Sequence, residues 1–427
     1  MCTTIAARRA ILWVGIVALW AAGVSTPAAW AAGLPTAKPE QVGLSAKRLE
    51  RITEAFQAEV TQGRIPGAVV LVARQGKVAY WQSFGKRDPA GGTAMAKDDV
   101  FRIYSISKPF TAVAVMMLEE EGKLSLSDPV AQYLPELGKR EVAVSDGQGG
   151  IKLVPAVREM TVHDLLKHTS GLTYGIFTAT PGKKVWAEAE AEFWTGTNAQ
   201  MIERMAKLPL VVQPGTQFEY SWSYAVLGRI VEVVSGKSLG AFIDEHIARP
   251  LNLQDTGFFV HPEQLARLAQ SAPDPATGKP QPLIDVTKPP AFEGGGESMV
   301  SNAADYAVFA QMLLNGGEYN TVRLLGPKTV EHMTADHLGP LIGSGAYLPG
   351  PGYGYGLGFA VRVAPGLSAL PGSPGEFNWG GYAGTFFWVD PKEHLIAVLM
   401  MQAPTARLRT RALLKQLVLQ AIEKPAP

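Results

Sequence analysis

The 427-residue chain has a single cysteine, Cys2, and almost no net charge, with 39 lysines and arginines against 38 aspartates and glutamates. One cysteine excludes a disulfide framework, and its place at the extreme N-terminus argues against a thiol nucleophile or a thiolate metal site. The charge balance leaves no electrostatic footprint for nucleic acid. His163 and His168 are five apart, as are His332 and His337, and neither pair belongs to an H-E-x-x-H motif; with no cysteine partner beside them, no metal is expected. The chain also lacks the G-x-S-x-G elbow of α/β-hydrolases. Gly294-Gly295-Gly296 has no strand–GxxxxGK[ST]–helix setting, which excludes a phosphate loop and leaves it as a flexible wall of some site.

What is present is a globular composition, 47% hydrophobic and 18% charged, with 45 glycines and 31 prolines that predict long loops. Arg8 and Arg9 precede an apolar run from Ala10 to Val24 and then small residues ending in Ala29-Trp30-Ala31. This is the layout of a secretory signal peptide over 1–31, cleaved after Ala31. The apolar run falls short of the roughly 20 residues a spanning helix needs. The expectation is an exported protein, periplasmic or secreted, with no stable membrane anchor; cleavage would also remove Cys2.

Ser45 reads as an N-cap before Leu49, Ile52, Phe56 and Val60 at helical spacing. Gly67 to Arg74 and Lys77 to Phe84 read as a hairpin turning at Gln75-Gly76. From Phe110 to Leu118 nearly every residue is apolar, the pattern of a buried helix, and Pro109 confines its start to the neighbourhood of Ser105. Helical signals dominate from Met160 to about Leu251, and a proline-rich stretch at about 270–291 reads as a return path. Tyr355 to Val363 reads as a strand, Gly384 to Asp390 and Leu395 to Gln402 as a pair, and Thr405 to Ile422 as a terminal helix. The predicted architecture is α/β of the α+β type. An antiparallel sheet built from 32–103 and 292–427, flanked by the N- and C-terminal helices, carries an inserted, mainly helical domain over 104–291.

The chemistry centres on Ser105 and Lys108, an S-x-x-K pair three residues apart at a helix start, where both side chains share a face. A serine needs a base to take its proton. Burial and a helix N-terminus both disfavour an ammonium, which would make Lys108 such a base. Ser83 and Lys86 repeat the pattern in a strand, where the two side chains point to opposite faces. Tyr220, in Tyr220-Ser221-Trp222 before a helix, offers a phenol that a nearby ammonium could hold as phenolate. Trp379-Gly380-Gly381-Tyr382 places glycines at a strand edge, where a backbone N–H can face an oxyanion. Arg407, Arg409 and Arg411 read as a solvated helix face.

Phe101 to Pro109, Glu119 to Leu124, Leu165 to Leu172, Tyr220-Ser221, Gly294 to Ser301 and Trp379-Gly380-Gly381 together resemble the serine β-lactamase and penicillin-binding-protein superfamily. In motif the chain is most similar to the family VIII carboxylesterases. The resemblance implies the β-lactamase/transpeptidase-like fold, Ser105 as acylated nucleophile, Lys108 as its partner and Tyr220 as acid/base. It also implies an oxyanion hole from the backbone N–H groups of Ser105 and Tyr382, a structural role for His168 to Gly171, and no cofactor. Penicillin-recognising members usually carry Y-x-N and K-T-G; here Trp222 replaces the asparagine and Trp379 the lysine. A site lined by Tyr104, Trp222, Trp379, Gly380 and Gly381 favours an uncharged acyl or alkyl group. Ester cleavage on a small-molecule substrate is therefore expected. A β-lactamase or D-amino-acid peptidase is the rival within the fold, and a non-catalytic binder the rival outside enzymes.

Overall fold

In the computed structural model the described residues are Met1 and residues 33–426, apart from 177–179, 275–276 and 342–347. The signal peptide expected over 1–31, including Cys2, lies outside them save for Met1. Eight strands form one antiparallel sheet: β1 (Gly67–Arg74), β2 (Lys77–Asp88), β3 (Thr93–Ala94), β4 (Tyr353–Tyr355), β5 (Ala360–Arg362), β6 (Phe377–Gly380), β7 (Phe386–Asp390) and β8 (Leu395–Met401). Their spatial order is β4-β5-β6-β7-β8-β1-β2-β3, so β1 pairs with β8 and joins the two ends of the sequence. Every residue of β1 is buried, because both faces of the sheet are covered.

The first face is covered by helix α1 (Ala46–Thr61), capped by Ser45 as expected, and by the last helix. There Leu49, Ile52 and Phe56 meet Ala68, Val70 and Val72 of β1. The opposite face, Val69, Leu71 and Ala73, packs into the larger core with helix α2 (Lys108–Glu120). Beyond α2 come α3 (Val162–Leu166), α4 (Lys183–Phe193), α5 (Asn198–Met205), α6 (Ser223–Ser235) and α7 (Leu239–Ile243). Helices α8 (Ala303–Leu314) and α9 (Pro327–Met333) follow, and α8 packs on β1 and β8. The chain closes with α10 (Arg407–Leu419), which packs against α1. Among the described residues no helix is long and apolar enough to cross a membrane.

Two local readings need correction. Tyr355 to Val363 is two strands, β4 and β5, because Gly358 at φ +114° turns the chain where an added Cβ would lie 3.1 Å from that of Ala112. The mainly helical stretch over 104–291 also holds a hairpin before Met160, Glu141–Ser145 against Ile151–Pro155. The arginines of α10 are only in part a solvated face: Arg409 is exposed, yet all three have partners in the protein. Arg409 pairs with the buried Glu59 of α1 at 2.8 Å, and the half-buried Arg411 donates to the carbonyls of Gly381 and Thr385.

Candidate active site

The site starts at a short antiparallel bridge, Phe101–Arg102 against Val300–Ser301. Ile103 N–H continues it, donating to the Met299 carbonyl at 2.9 Å. The chain then makes one 3₁₀ turn, Tyr104–Ser107, before α2 begins at Lys108. With three residues per turn, a 3₁₀ helix aligns residues i and i+3, which puts Ser105 and Lys108 on one edge. Tyr104 adopts φ +48°, a strained value for a side chain of its size. Its hydroxyl accepts from Ile284 N at 3.1 Å, and burial pushes the phenol up to about 12. Ser107 Oγ donates to Tyr104 O at 2.6 Å and accepts from Met299 N at 3.2 Å. Thr111 Oγ1 donates to Gly295 O at 2.6 Å. The turn carrying Ser105 is thus stitched to residues 295–299 from both sides.

Lys108 is wholly buried. Its Nζ donates to Gly296 O at 2.9 Å and to Tyr174 Oη at 3.3 Å, and lies 3.8 Å from Glu297 Oε1. It also sits over the Tyr220 ring, 4.8 Å from the centroid. A carbonyl, a carboxylate and aromatic faces all stabilise an ammonium. The surroundings of this amine are therefore richer in groups that favour its charged form than burial in an apolar helix start implies. Gly294 to Gly296 also differ from expectation. They are buried against the lysine and are not among the residues that wall the cavity: a Cβ on Gly296 would lie 2.9 Å from Lys108 Nζ and 2.8 Å from Tyr224 Cβ.

Tyr220 is held by the segment that follows α3. Glu219 N donates to His168 O at 2.7 Å, and Tyr174 N donates to Tyr220 O at 3.2 Å. The buried His168 ring packs 4.7 Å from the Tyr220 ring, and its Nδ1 is 3.1 Å from Ser221 Oγ. Burial, reinforced by the Lys108 charge, keeps His168 far below the usual imidazole range and hence neutral. Trp379, at the end of β6, donates from Nε1 to Tyr220 Oη at 3.0 Å.

These groups open on a cavity of about 1070 Å³. Ser105, Tyr104, Tyr220, Trp222, Trp379, Gly380, Gly381 and Tyr382 all line it, while Lys108 lies behind its wall. Trp222 is nearly buried; its Nε1 donates to Glu190 at 3.0 Å and its ring meets Trp194 edge-on. Tyr382 is exposed at the rim, edge-on to Tyr104 and under the guanidinium of Arg407.

Sequence reasoning missed four contributors. Tyr174 and Glu297 flank the lysine; burial raises both, and the carboxylate raises the tyrosine further. Glu190 of α4 lines the cavity, its carboxyl raised by burial. Arg411 also lines it, lowered to about 9 by burial and then by Arg407. The supposed return linker supplies wall as well, through Pro282 to Asp285 and Pro290. An acidic residue directly after three glycines was the one visible signal, for Glu297.

Residues 51–420 match the beta-lactamase family. The chain is 30% identical to Esterase EstB of Burkholderia gladioli over 83% of its own length and 91% of the relative's. It is also 30% identical to the lovastatin esterase of Penicillium rubens, over 82% of this chain and 91% of that one. Among solved structures it is similar to EstCE1, described as a hydrolase with promiscuous acyltransferase activity. That likeness has a TM-score of 0.74 and 28% identity, covering 88% of this chain and 99% of the other. With a match running from α1 into the end of α10, and a serine and lysine set one turn apart beneath a tyrosine, the chain belongs to the beta-lactamase family of serine hydrolases.

Proposed function

We propose that the protein is an exported serine hydrolase that cleaves carboxylic esters of small molecules through an acyl-enzyme on Ser105. Ser105 Oγ attacks the ester carbonyl while its proton passes to the Lys108–Tyr220 pair, and the new C–O bond leaves an oxyanion. Backbone N–H groups of Ser105 and Tyr382 receive that oxyanion, each worth several kcal/mol in the transition state. Collapse breaks the bond to the alkoxy group, which departs with the proton, and water activated near Tyr220 repeats the sequence to release the acid.

One observation carries this reading: Ser105 and Tyr220 line the same cavity, and Lys108 Nζ lies 4.8 Å from the centre of the Tyr220 ring. The aromatic lining, with Trp222 and Trp379 where penicillin-recognising members have asparagine and lysine, supports an ester over a β-lactam. So do the names of EstB and the lovastatin esterase. Export rests on the leader-like sequence over 1–31.

Ser105→Ala is expected to abolish turnover of a short p-nitrophenyl ester, and the native chain to gain one covalent adduct by mass from a fluorophosphonate. Retained turnover in the variant would make another residue the nucleophile. Nitrocefin turnover rivalling that of esters would move the substrate class to β-lactams, and no adduct at all would indicate a binder.

A further inference from the structure

Glu297 is a buried carboxyl group that the mechanism above does not use; burial raises it, and the Lys108 charge, the Tyr174 hydroxyl and the Gly296 N–H act against that in favour of the carboxylate. Its Oε1 accepts the hydroxyl proton of Tyr174, and its Oε2 accepts from Gly296 N at 3.0 Å. Because the Tyr174 proton is committed to Glu297, the Tyr174 oxygen must act as acceptor towards Lys108, 3.3 Å away. The Gly296 carbonyl, which can only accept, takes a second lysine hydrogen at 2.9 Å. Glu297 Oε1 itself lies 3.8 Å from the amine. Among the described residues, the charged and titratable groups around Lys108 are Glu297, Tyr174, Tyr220 and Tyr224, whose rings it faces or whose oxygens it meets, and the neutral His168. Glu297 is the one carboxylate among them, and at that separation in a dry interior an opposite charge governs which protonation state the amine keeps.

We propose that Glu297 is a positioning residue for this reaction: a buried counter-charge that holds Lys108 as an ammonium, directly and through the Tyr174 hydroxyl, so that the proton leaving Ser105 Oγ is taken by the Tyr220 oxygen. This rests on Ser105 as nucleophile. The step balances. The Oγ–H bond breaks as the Oγ–carbonyl carbon bond forms, the proton goes to the Tyr220 phenolate oxygen, and the carbonyl electron pair becomes the oxyanion. On collapse the same proton leaves with the alkoxide, returning Tyr220 to phenolate beside the ammonium. The segment 294–299 then has a chemical reason for its tight path. Its glycines bring a backbone carbonyl onto the amine, and the next residue brings the counter-charge.

The test is the pH profile of kcat/KM for phenyl acetate, which reports the essential acid and base of the free enzyme. In Glu297→Gln the ammonium loses its partner and gives up its proton at lower pH, so the alkaline limb is expected to move down by about one pH unit. Glu297→Asp, which keeps the charge, is expected to restore most of that shift. Tyr174→Phe removes only the bridging hydroxyl; it should move the same limb the same way by less, and serves if Glu297→Gln does not fold. An alkaline limb that stays in place in both variants overturns the proposal. So does an acidic limb moving instead, since the active lysine would then be the neutral amine. Ser105→Ala run beside them separates the failures: residual turnover there removes the nucleophile, whatever the limbs do.

Discussion

The indole nitrogen of Trp379 donates to the phenolic oxygen of Tyr220 at 3.0 Å, and the two rings lie 5.4 Å apart, so the last motif of the chain is bonded to the middle one. Trp379 lies near the end of β6, on the wall of the cavity. It supplies a neutral donor to the same oxygen that is proposed to accept the serine proton. A donor there steadies the oxygen and fixes its direction without adding charge.

Trp379→Phe keeps an aromatic ring and removes that donor. A hydrogen bond of this kind is worth about 1 kcal/mol net, and roughly twice that if the oxygen carries charge. Turnover of a short-chain ester is therefore expected to fall about five- to thirty-fold in kcat, with a smaller change in KM. Steady-state kinetics on the purified variant check it. A change confined to KM would mean that Trp379 only shapes the cavity.

Trp194 tests the apolar reading of the cavity. Its ring is 41% exposed at the rim, edge-on to Trp222 at 5.4 Å and to Phe292 at 5.9 Å. Trp194, Trp222 and Phe292 line the same cavity as Ser105, so a long acyl chain on Ser105 is expected to reach this cluster and an acetyl group to reach less of it. Trp194→Ala is expected to raise KM for an octanoate ester several-fold more than KM for the acetate, about 1 kcal/mol of lost apolar contact. Equal changes across a chain-length series would place the acyl group elsewhere.

Much of this arrangement was legible in the sequence because its signals are local. A nearly continuous apolar run after Pro109 can only be a buried helix, and β-branched runs around Gln75-Gly76 can only turn back on themselves. Ser105, Tyr220 and Trp379 stood out because each lies at a start or an edge, where side chains meet space. What escaped notice depends on long-range packing. Nothing near Tyr174 marks it as the neighbour of a lysine 66 positions earlier, and Glu297 becomes a counter-charge only through the bridge of Val300–Ser301 to Phe101–Arg102. Prolines at 270–291 were read as a connection, but the same irregular backbone presents Ile284 N to the Tyr104 hydroxyl and walls the cavity. The arginines of α10 misled for a related reason: spacing gave their helix, but what that helix lies against is set by the other end of the chain.

Glu59 shows what that contact does for stability. Its carboxylate is buried in α1 and accepts from Arg64 Nε at 2.8 Å and from Arg409 of α10 at 2.8 Å. Pairing with Arg64 first, and with Arg409 next, holds it down to about 2 from an ordinary 4.5, against the opposing effect of burial. The folded state thus binds the proton less readily than the unfolded one. The stabilisation is complete above about pH 4.5 and is lost as the pH falls towards 2. Both arginines reach partly into solvent, which screens the pairs, so the contribution at pH 7 is on the order of 1–2 kcal/mol. Glu59→Gln is expected to lower stability by about that amount at pH 7, yet to lose less than the native protein between pH 5 and pH 3. Urea unfolding at the three pH values measures both. Parallel losses on acidification in the two proteins would mean that the carboxylate does not carry the link between α1 and α10.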